Sequence, residues 1–120
     1  MTRVPPWELA MTEGFEFSGD PGLRDRLTRA LHRVVDPEMA LDVVELGLVY
    51  SVQAVPQDAR VRVTMTSAAC PVTEFIVDEI GREMRAELGE GARVEVEVVW
   101  DPPWTPNRMS ESARTAMGWE

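Results

Sequence analysis

Hydrophobic residues recur at every third or fourth position between Leu23 and Val34, and arginine and other polar residues occupy the positions between them. This spacing predicts an amphipathic helix of about four turns. Asp20 and Pro21 form a favourable start, because the carboxylate caps free N–H groups and proline at the first helical position loses no hydrogen bond. We expect the helix to end before Pro37, because proline drives the preceding residue out of the helical region.

A second hydrophobic stripe runs from Val72 to Leu88 and predicts a second amphipathic helix. Pro71 suits the first position of this helix, and Gly89 and Gly91 are typical of its end. Nearer the end of the chain, Ser110–Met117 predicts a short closing helix with the serine as its N-cap.

Three segments alternate between hydrophobic and polar residues and are predicted to be strands: Leu48–Val55, Arg60–Thr66 and Arg93–Val99. A short turn separates the first two, so they are predicted to form an antiparallel hairpin. The second helix connects the last two, and a helical crossover makes such strands parallel. The alternation places Tyr50 on the same side of its strand as Leu48, Val52 and Ala54, and Trp100 is expected to continue the inward face of the third strand.

The predicted fold is α/β (α+β), a two-layer sandwich with the order α-β-β-α-β. Because all three strands alternate, both helices are expected to cover one face of a small mixed three-stranded sheet. A tryptophan- and proline-rich segment, 100–109, cannot be regular structure, and the acidic segment 36–47 is interpreted as a structured loop. Residues 1–22 are interpreted as a flexible N-terminal tail and residues 23–119 as one domain.

Composition narrows the possible chemistry. The 120 residues include one cysteine, Cys70, one histidine, His32, and no lysine. One cysteine excludes an intrachain disulfide framework and an all-cysteine zinc site, and one histidine excludes sites that need two. Without lysine, neither a Schiff base nor a phosphate-loop lysine is possible.

Charge and hydropathy bear on partners and location. The net charge of −9 argues against nucleic acid as a main partner, because binding to the phosphate backbone needs a basic face. No segment approaches the roughly 20 apolar residues of a membrane span, and the first 14 residues lack a signal-peptide pattern. We therefore expect no membrane partner and a cytoplasmic location, in which a lone thiol stays reduced.

Cys70 is the most informative candidate residue. If Pro71 is the first helical position, the thiol lies at the N-terminus of the second helix. Free N–H groups and the helix dipole there would lower its pKa below the usual value of about 8.5. Thr64, Thr66 and Ser67 add hydroxyl groups to the same strand-to-helix turn, where open α/β sheets often bind ligands. The alternative is that Cys70 is a small buried hydrophobic residue.

The acidic loop is the second candidate. Asp36, Glu38, Asp42 and Glu45 lie among hydrophobic residues. One or two of these carboxylates are expected to approach Cys70 as hard metal ligands or as a base. The alternative is that they cap turns or are simply hydrated.

His32 and the tryptophans have less specific interpretations. His32, near the end of the first helix, is interpreted as a surface residue favoured by the helix dipole. Contact with Cys70 would instead make a nucleophilic pair. Trp104 follows two prolines that hold an extended path, so it is either a binding anchor or a residue packed over the end of the sheet.

Three stretches resemble a known family. They are DPEMALDVVELGLVY (36–50), VTMTSAACPVTEFI (63–76) and VVWDPPWTPNRMSE (98–111). In order and spacing they are similar to the SufT-like and PaaD-like iron–sulfur (metal–sulfur) cluster assembly proteins, over about residues 23–118. The resemblance implies an assembly or maturation factor without turnover of its own, and the same α-β-β-α-β fold.

The resemblance also implies functional residues. The matching positions are Asp36, Pro37 and Glu38, Thr66 before the cysteine loop, the reactive Cys70 with Pro71, and Trp100, Pro103 and Trp104 in the tryptophan-proline motif. Two departures stand out. Glu45 replaces the family's usual aspartate, and Ala68-Ala69 replaces the Pro-Gly of many members. The tryptophan-proline motif favours the SufT-like branch.

One thiol cannot hold an iron–sulfur cluster, which generally takes four ligands. The resemblance therefore implies no tightly bound cofactor and a transient cluster, shared through Cys70 between the chains of a homodimer, with a client apoprotein or with small thiols. The assembly machinery and client apoproteins are the implied partners. Three alternatives stay open: a PaaD-like assembly helper of an oxygenase, a protein-binding adaptor that uses the Trp100–Pro106 surface, and a small thiol enzyme.

Overall fold

The structure, a computed structural model, describes residues 15–66 and 70–118, and of Cys70 it describes the backbone alone. The strands are β1 (Glu16–Gly19), β2 (Val35–Asp36), β3 (Leu41–Asp42), β4 (Val49–Val55), β5 (Asp58–Val63) and β6 (Arg93–Val98). The helices are α1 (Pro21–His32), α2 (Cys70–Leu88) and α3 (Glu111–Met117), with a 3-10 turn at Pro106–Arg108. Every predicted helix and strand is present.

The main sheet has the order β1-β4-β5-β6, and α1 and α2 pack against one of its faces. β4 and β5 form the predicted antiparallel hairpin, and β5 and β6 are parallel, as a helical crossover requires. The buried members of each stripe, such as Leu27 in α1 and Ile80 in α2, meet Val61 of β5 in one core. The predicted fold class, a mixed α/β sandwich, is confirmed.

The sheet contains one strand more than the three predicted. Residues 16–19, predicted to belong to the N-terminal tail, form β1 and pair in parallel with β4, so that Phe17 lies opposite Val52. Phe15, just before β1, is buried in the core. Gly19 has φ +113°, and a Cβ there would lie 2.0 Å from the carbonyl oxygen of Ala54. Four residues are too few to show alternation, and pairing with β4 makes them a strand. Residues 1–14 and 119 of the predicted segments lie outside the described ranges.

A β-bulge in β4 changes the predicted direction of Tyr50. Val49 pairs with Val63 and Ser51 pairs with Arg62, so Tyr50 has no partner on β5. The extra residue shifts the alternation, and Val49 becomes the buried residue while Tyr50 is half-buried. The prediction that Tyr50 lies on the same side of the strand as Val52 and Ala54 was wrong for this reason.

Charged pairs join the two large helices. Arg26 lies 3.4 Å from a carboxylate oxygen of Glu87, and Arg33 donates to Glu83 at 2.7 Å and to Glu87 at 2.9 Å. α1 connects the parallel strands β1 and β4, and α2 connects the parallel strands β5 and β6. Because β4 and β5 are antiparallel, the two helices are antiparallel. The chain that leaves α1 therefore runs toward the start of α2, and β2 packs against α2.

The predicted caps are confirmed. The Asp20 carboxylate accepts from the N–H of Gly22 at 2.9 Å, and the Ser110 hydroxyl accepts from the N–H of Ala113 at 3.0 Å. Among residues 15–66 and 70–118, no helix is long and apolar enough to cross a membrane.

Candidate functional site

The cysteine motif and the tryptophan-proline motif lie at the same edge of the sheet. β5 and β6 are parallel, so their carboxyl ends lie at the same edge. After β5 the chain passes Thr66 and enters α2 at Cys70, and after β6 it reaches Trp100. Carboxyl ends of neighbouring strands are where open α/β sheets bind ligands. The backbone topology thus brings the cysteine and tryptophan motifs to a common edge.

Cys70 is the first residue of α2, so its predicted position at the helix N-terminus agrees with the backbone. Residues 67–69 lie outside the described part of the chain. On the strand side of this gap, Thr66 is half-buried and Thr64 is fully buried. The Thr64 hydroxyl has no hydrogen-bond partner among the described residues. A buried polar group without a partner is uncommon and calls for an explanation such as a ligand or a water molecule.

The aspartate of the acidic-proline motif organises a turn. Asp36 is 1% exposed, and its Oδ1 accepts from the N–H groups of Glu38 at 2.8 Å and Met39 at 3.3 Å. These bonds close the turn between β2 and β3, the short hairpin formed within the loop predicted at 36–47. Glu38 is exposed at the outer side of this turn.

The other two acidic residues lie with His32. Asp42 Oδ1 accepts from the N–H groups of Val44 and Glu45, both at 2.9 Å, while Oδ2 lies 3.2 Å from Nδ1 of His32. Glu45 accepts from the hydroxyls of the residues that open α3. From the sequence, His32 is predicted to be a surface residue or a partner of Cys70, and no pairing with the acidic loop is expected. No sequence pattern predicts a contact between two residues that lie ten positions apart on either side of a helix end.

The tryptophan-proline segment lies on the acidic loop. The indole Nε1–H of Trp104 donates to the carbonyl oxygen of Leu46 at 2.7 Å, and the ring packs against the core. Trp100 is 52% exposed, so the expectation that it continues the inward face of its strand was wrong. β6 ends at Val98, and the alternation ends with it. Pro103 is exposed.

Gly47 permits this close approach. Its φ is +73°, and a Cβ at this position would lie 2.0 Å from the carbonyl oxygen of Arg108. Only glycine fits both the left-handed backbone and the contact. The loop before β4 and the segment after β6, which are far apart in sequence, are therefore in direct backbone contact.

Tyr50, the extra residue of the β4 bulge, makes a further contact with the tryptophan-proline segment. Its hydroxyl donates to the carbonyl oxygen of Pro102 at 2.6 Å, and the guanidinium of Arg108 lies 4.4 Å from the centre of its ring. These groups, with Arg62 and Asp101, line an open hollow of about 450 Å³. Sequence reasoning missed Tyr50 as a member of this region, because its position depends on the bulge.

Comparison with known proteins places these features in a class. The fold matches a solved structure of a domain of unknown function, DUF59, from Bacillus anthracis, with a TM-score of 0.72 and 40% identity over 80% of this chain and 92% of that one. Residues 24–98 match the family model described as iron–sulfur cluster assembly protein. The chain belongs to this family, as the sequence motifs implied.

Two relatives make the relation more specific. The Fe-S protein maturation auxiliary factor YitW of Bacillus subtilis is 43% identical over 101 residues, which cover 82% of this chain and 97% of that protein. The Fe-S protein maturation auxiliary factor SufT of Staphylococcus aureus is 42% identical over 86 residues, which cover 71% and 97%. The predicted SufT-like relationship is confirmed.

Proposed function

We propose that this protein is an iron–sulfur cluster maturation factor that helps deliver clusters to client apoproteins, with Cys70 as its reactive thiol or transient ligand. The observation that carries the proposal is the start of α2 at Cys70, at the carboxyl end of β5, within the region that matches the family model. The names of the two relatives support the SufT-like role over the PaaD-like alternative.

The helix start suits a thiolate. The first N–H groups of a helix have no intrahelical acceptor, and the positive end of the helix dipole favours negative charge. Both effects lower a thiol pKa, and the thiolate is the form that binds iron. We assign the hydroxyls of Thr66 and of Thr64, which has no hydrogen-bond partner within the described residues, to the surroundings of the same ligand.

The acidic residues have different supporting roles in this proposal. Asp36 holds the β2–β3 turn, which packs toward α2, and Glu45 connects the loop to α3. Glu38 is exposed at the tip of the turn and is the carboxylate available to an approaching partner or metal.

A cluster on this protein needs ligands from elsewhere. With one cysteine in the chain, at least three further ligands of a four-ligand cluster come from a second copy, a client apoprotein or small thiols. We propose a transient cluster and no tightly bound cofactor, a homodimer being one arrangement that supplies a second thiol. We also propose that this work takes place in the cytoplasm with the iron–sulfur assembly machinery.

The tryptophan-proline motif is assigned to partner binding. Trp104 is held by its bond to Leu46, whereas Trp100 and Pro103 are exposed beside it on the same segment. Exposed aromatic residues on a rigid segment make effective binding anchors.

Anaerobic reconstitution of the full chain with ferrous iron and sulfide tests the role of Cys70. We expect a cluster absorbance in the wild type that Cys70→Ala loses, while transfer of a cluster to an apoenzyme falls at least tenfold. Cys70→Ser controls for packing, because it keeps the size of the side chain. Equal absorbance and equal transfer in all three proteins would contradict ligation by Cys70.

An adaptor function is the second candidate, and the exposure of Trp100 (52%) and Phe75 (45%) favours it. In that case Trp100→Ala loses activity in maturation of clients while Cys70→Ala retains it. The same pair of variants therefore separates the two functions. A small thiol enzyme predicts turnover of an acyl or redox substrate by the purified protein without partners.

A further inference from the structure

The ligand atoms of His32, Asp42 and Glu45 converge in a cluster, the His-Asp-Glu cluster. One nitrogen or oxygen atom from each side chain lies within 4.8 Å of the atoms from the other two. The side chains come from the end of α1, from β3 and from the loop before β4. We propose that this cluster is a binding site for one divalent first-row transition metal ion, separate in its ligands from Cys70.

The donor types suit such an ion. Imidazole nitrogen and carboxylate oxygen are typical ligands of ferrous iron, manganese and zinc. Metal–ligand distances of about 2.0–2.2 Å place adjacent ligand atoms roughly 3–3.5 Å apart. His32 Nδ1 and Asp42 Oδ2 are 3.2 Å apart, which fits two ligands of one ion. Three protein ligands leave coordination positions for water or for an incoming group.

Each carboxylate is held by the protein through one oxygen. Asp42 Oδ1 is bound by two backbone N–H groups, and this leaves Oδ2 directed at His32. Glu45 Oε1 is bound by the hydroxyls of Ser110 and Ser112. Outer contacts of this kind orient ligands before the metal arrives and raise its affinity.

The His-Asp-Glu cluster is partly buried, as expected of a metal site that is shielded by protein and still open to an incoming ion. The side chain of His32 is 31% exposed and that of Asp42 is 17% exposed. Water and metal ions can therefore reach the cluster, while much of its surroundings is protein. The inference that ferrous iron is the natural ion rests on the proposed function. The inference that the cluster binds a metal ion does not rest on it.

Titration of the full-length, metal-free protein with Fe²⁺ under anaerobic conditions, and with Mn²⁺ and Zn²⁺, tests the site by calorimetry. We expect one ion per chain, and affinities at least tenfold lower in His32→Asn and Glu45→Gln. Glu45→Gln retains an oxygen for the bonds from the serines, so the fold is expected to survive. Glu90→Gln, an exposed carboxylate outside the cluster, is the charge-matched control and should leave the affinity unchanged.

Cys70→Ala separates this site from the proposed thiol ligand. It is expected to bind the ion as tightly as the wild type does, and Co²⁺-loaded wild type should show ligand-field bands without a thiolate charge-transfer band. Loss of the ion in Cys70→Ala would overturn the proposal. So would equal affinity in wild type, His32→Asn and Glu45→Gln, or binding at millimolar metal alone, which would mean an adventitious ion only. Circular dichroism of each variant excludes unfolding as the cause of a loss.

Discussion

The indole N–H of Trp104 donates a 2.7 Å hydrogen bond to the carbonyl oxygen of Leu46, residues that lie 58 positions apart. This bond joins the tryptophan-proline segment to the acidic loop, two of the three motifs that define the family resemblance. The third motif, which contains Cys70, lies at the same edge of the sheet, after the carboxyl end of β5. The bond therefore helps to fix one sequence motif relative to another.

Trp104→Phe is expected to destabilise the protein by about 1 kcal/mol, because it removes the donor and leaves the carbonyl of the buried Leu46 without this partner. Urea unfolding followed by circular dichroism measures the change. Trp100→Phe is the matched control and should change the free energy of unfolding by less than about 0.5 kcal/mol, since Trp100 is exposed. Equal effects of the two substitutions would contradict a role for the bond.

Gly47→Ala is expected to destabilise the protein by roughly 2–5 kcal/mol. The new Cβ would meet the Arg108 carbonyl oxygen at 2.0 Å, and alanine is also strained at a φ of +73°. Thermal or urea unfolding measures this loss. Gly91→Ala adds the same methyl group where no atom lies within 4 Å, and it should be neutral or slightly stabilising. If Gly47→Ala destabilised the protein as little as Gly91→Ala, the close approach of the loop before β4 to the segment after β6 would be contradicted.

Two substitutions of Asp36 separate its role as a hydrogen-bond acceptor from the role of its charge. Asp36→Asn keeps an oxygen that accepts from the N–H groups of Glu38 and Met39, so we expect a loss of less than about 1 kcal/mol. Asp36→Ala removes the acceptor and leaves two N–H groups unpaired, and it should cost on the order of 1–3 kcal/mol. Measured unfolding free energies test the order. Equal losses in the asparagine and alanine variants would show that the carboxylate charge matters more than the hydrogen bonds of the turn.

Stability is expected to fall in acid partly through Glu87. The hydrogen bond from Arg33 holds the pKa of the Glu87 carboxyl below its ordinary value. Because the folded protein binds this proton less readily than the unfolded chain does, the contact stabilises the fold above a pH of about 4.3. This stabilisation is lost as the pH falls through the lowered pKa.

Glu87→Gln should therefore be less stable than the wild type at neutral pH, and the difference should shrink as the pH is lowered below about 4. Urea midpoints across this pH range provide the measurement. Glu90→Gln, an exposed carboxylate two residues after the end of α2, serves as the comparison and should show no such convergence. A Glu87→Gln deficit that stayed constant with pH would rule out the Arg33 contact as its cause.

Sequence alone determined the parts of this protein that depend on neighbouring residues. The stripes of α1 and α2, the alternation of β5 and β6, and the caps at Asp20 and Ser110 are local patterns, and each predicted element is present. The three motifs, read together, also indicated the iron–sulfur assembly family, which the match over residues 24–98 confirms. The position of Cys70 at a helix start followed from the proline beside it.

Tertiary structure decided what depends on residues distant in the chain. Four residues become β1 because β4 offers an unpaired edge, and the bulge at Tyr50 exists only in the register with β5. His32 meets Asp42 because the chain reverses after α1, and no spacing in the sequence encodes that contact. Hydrophobic periodicity reports which face of an element is buried, but pairing, register and the meeting of polar groups are set by packing between elements.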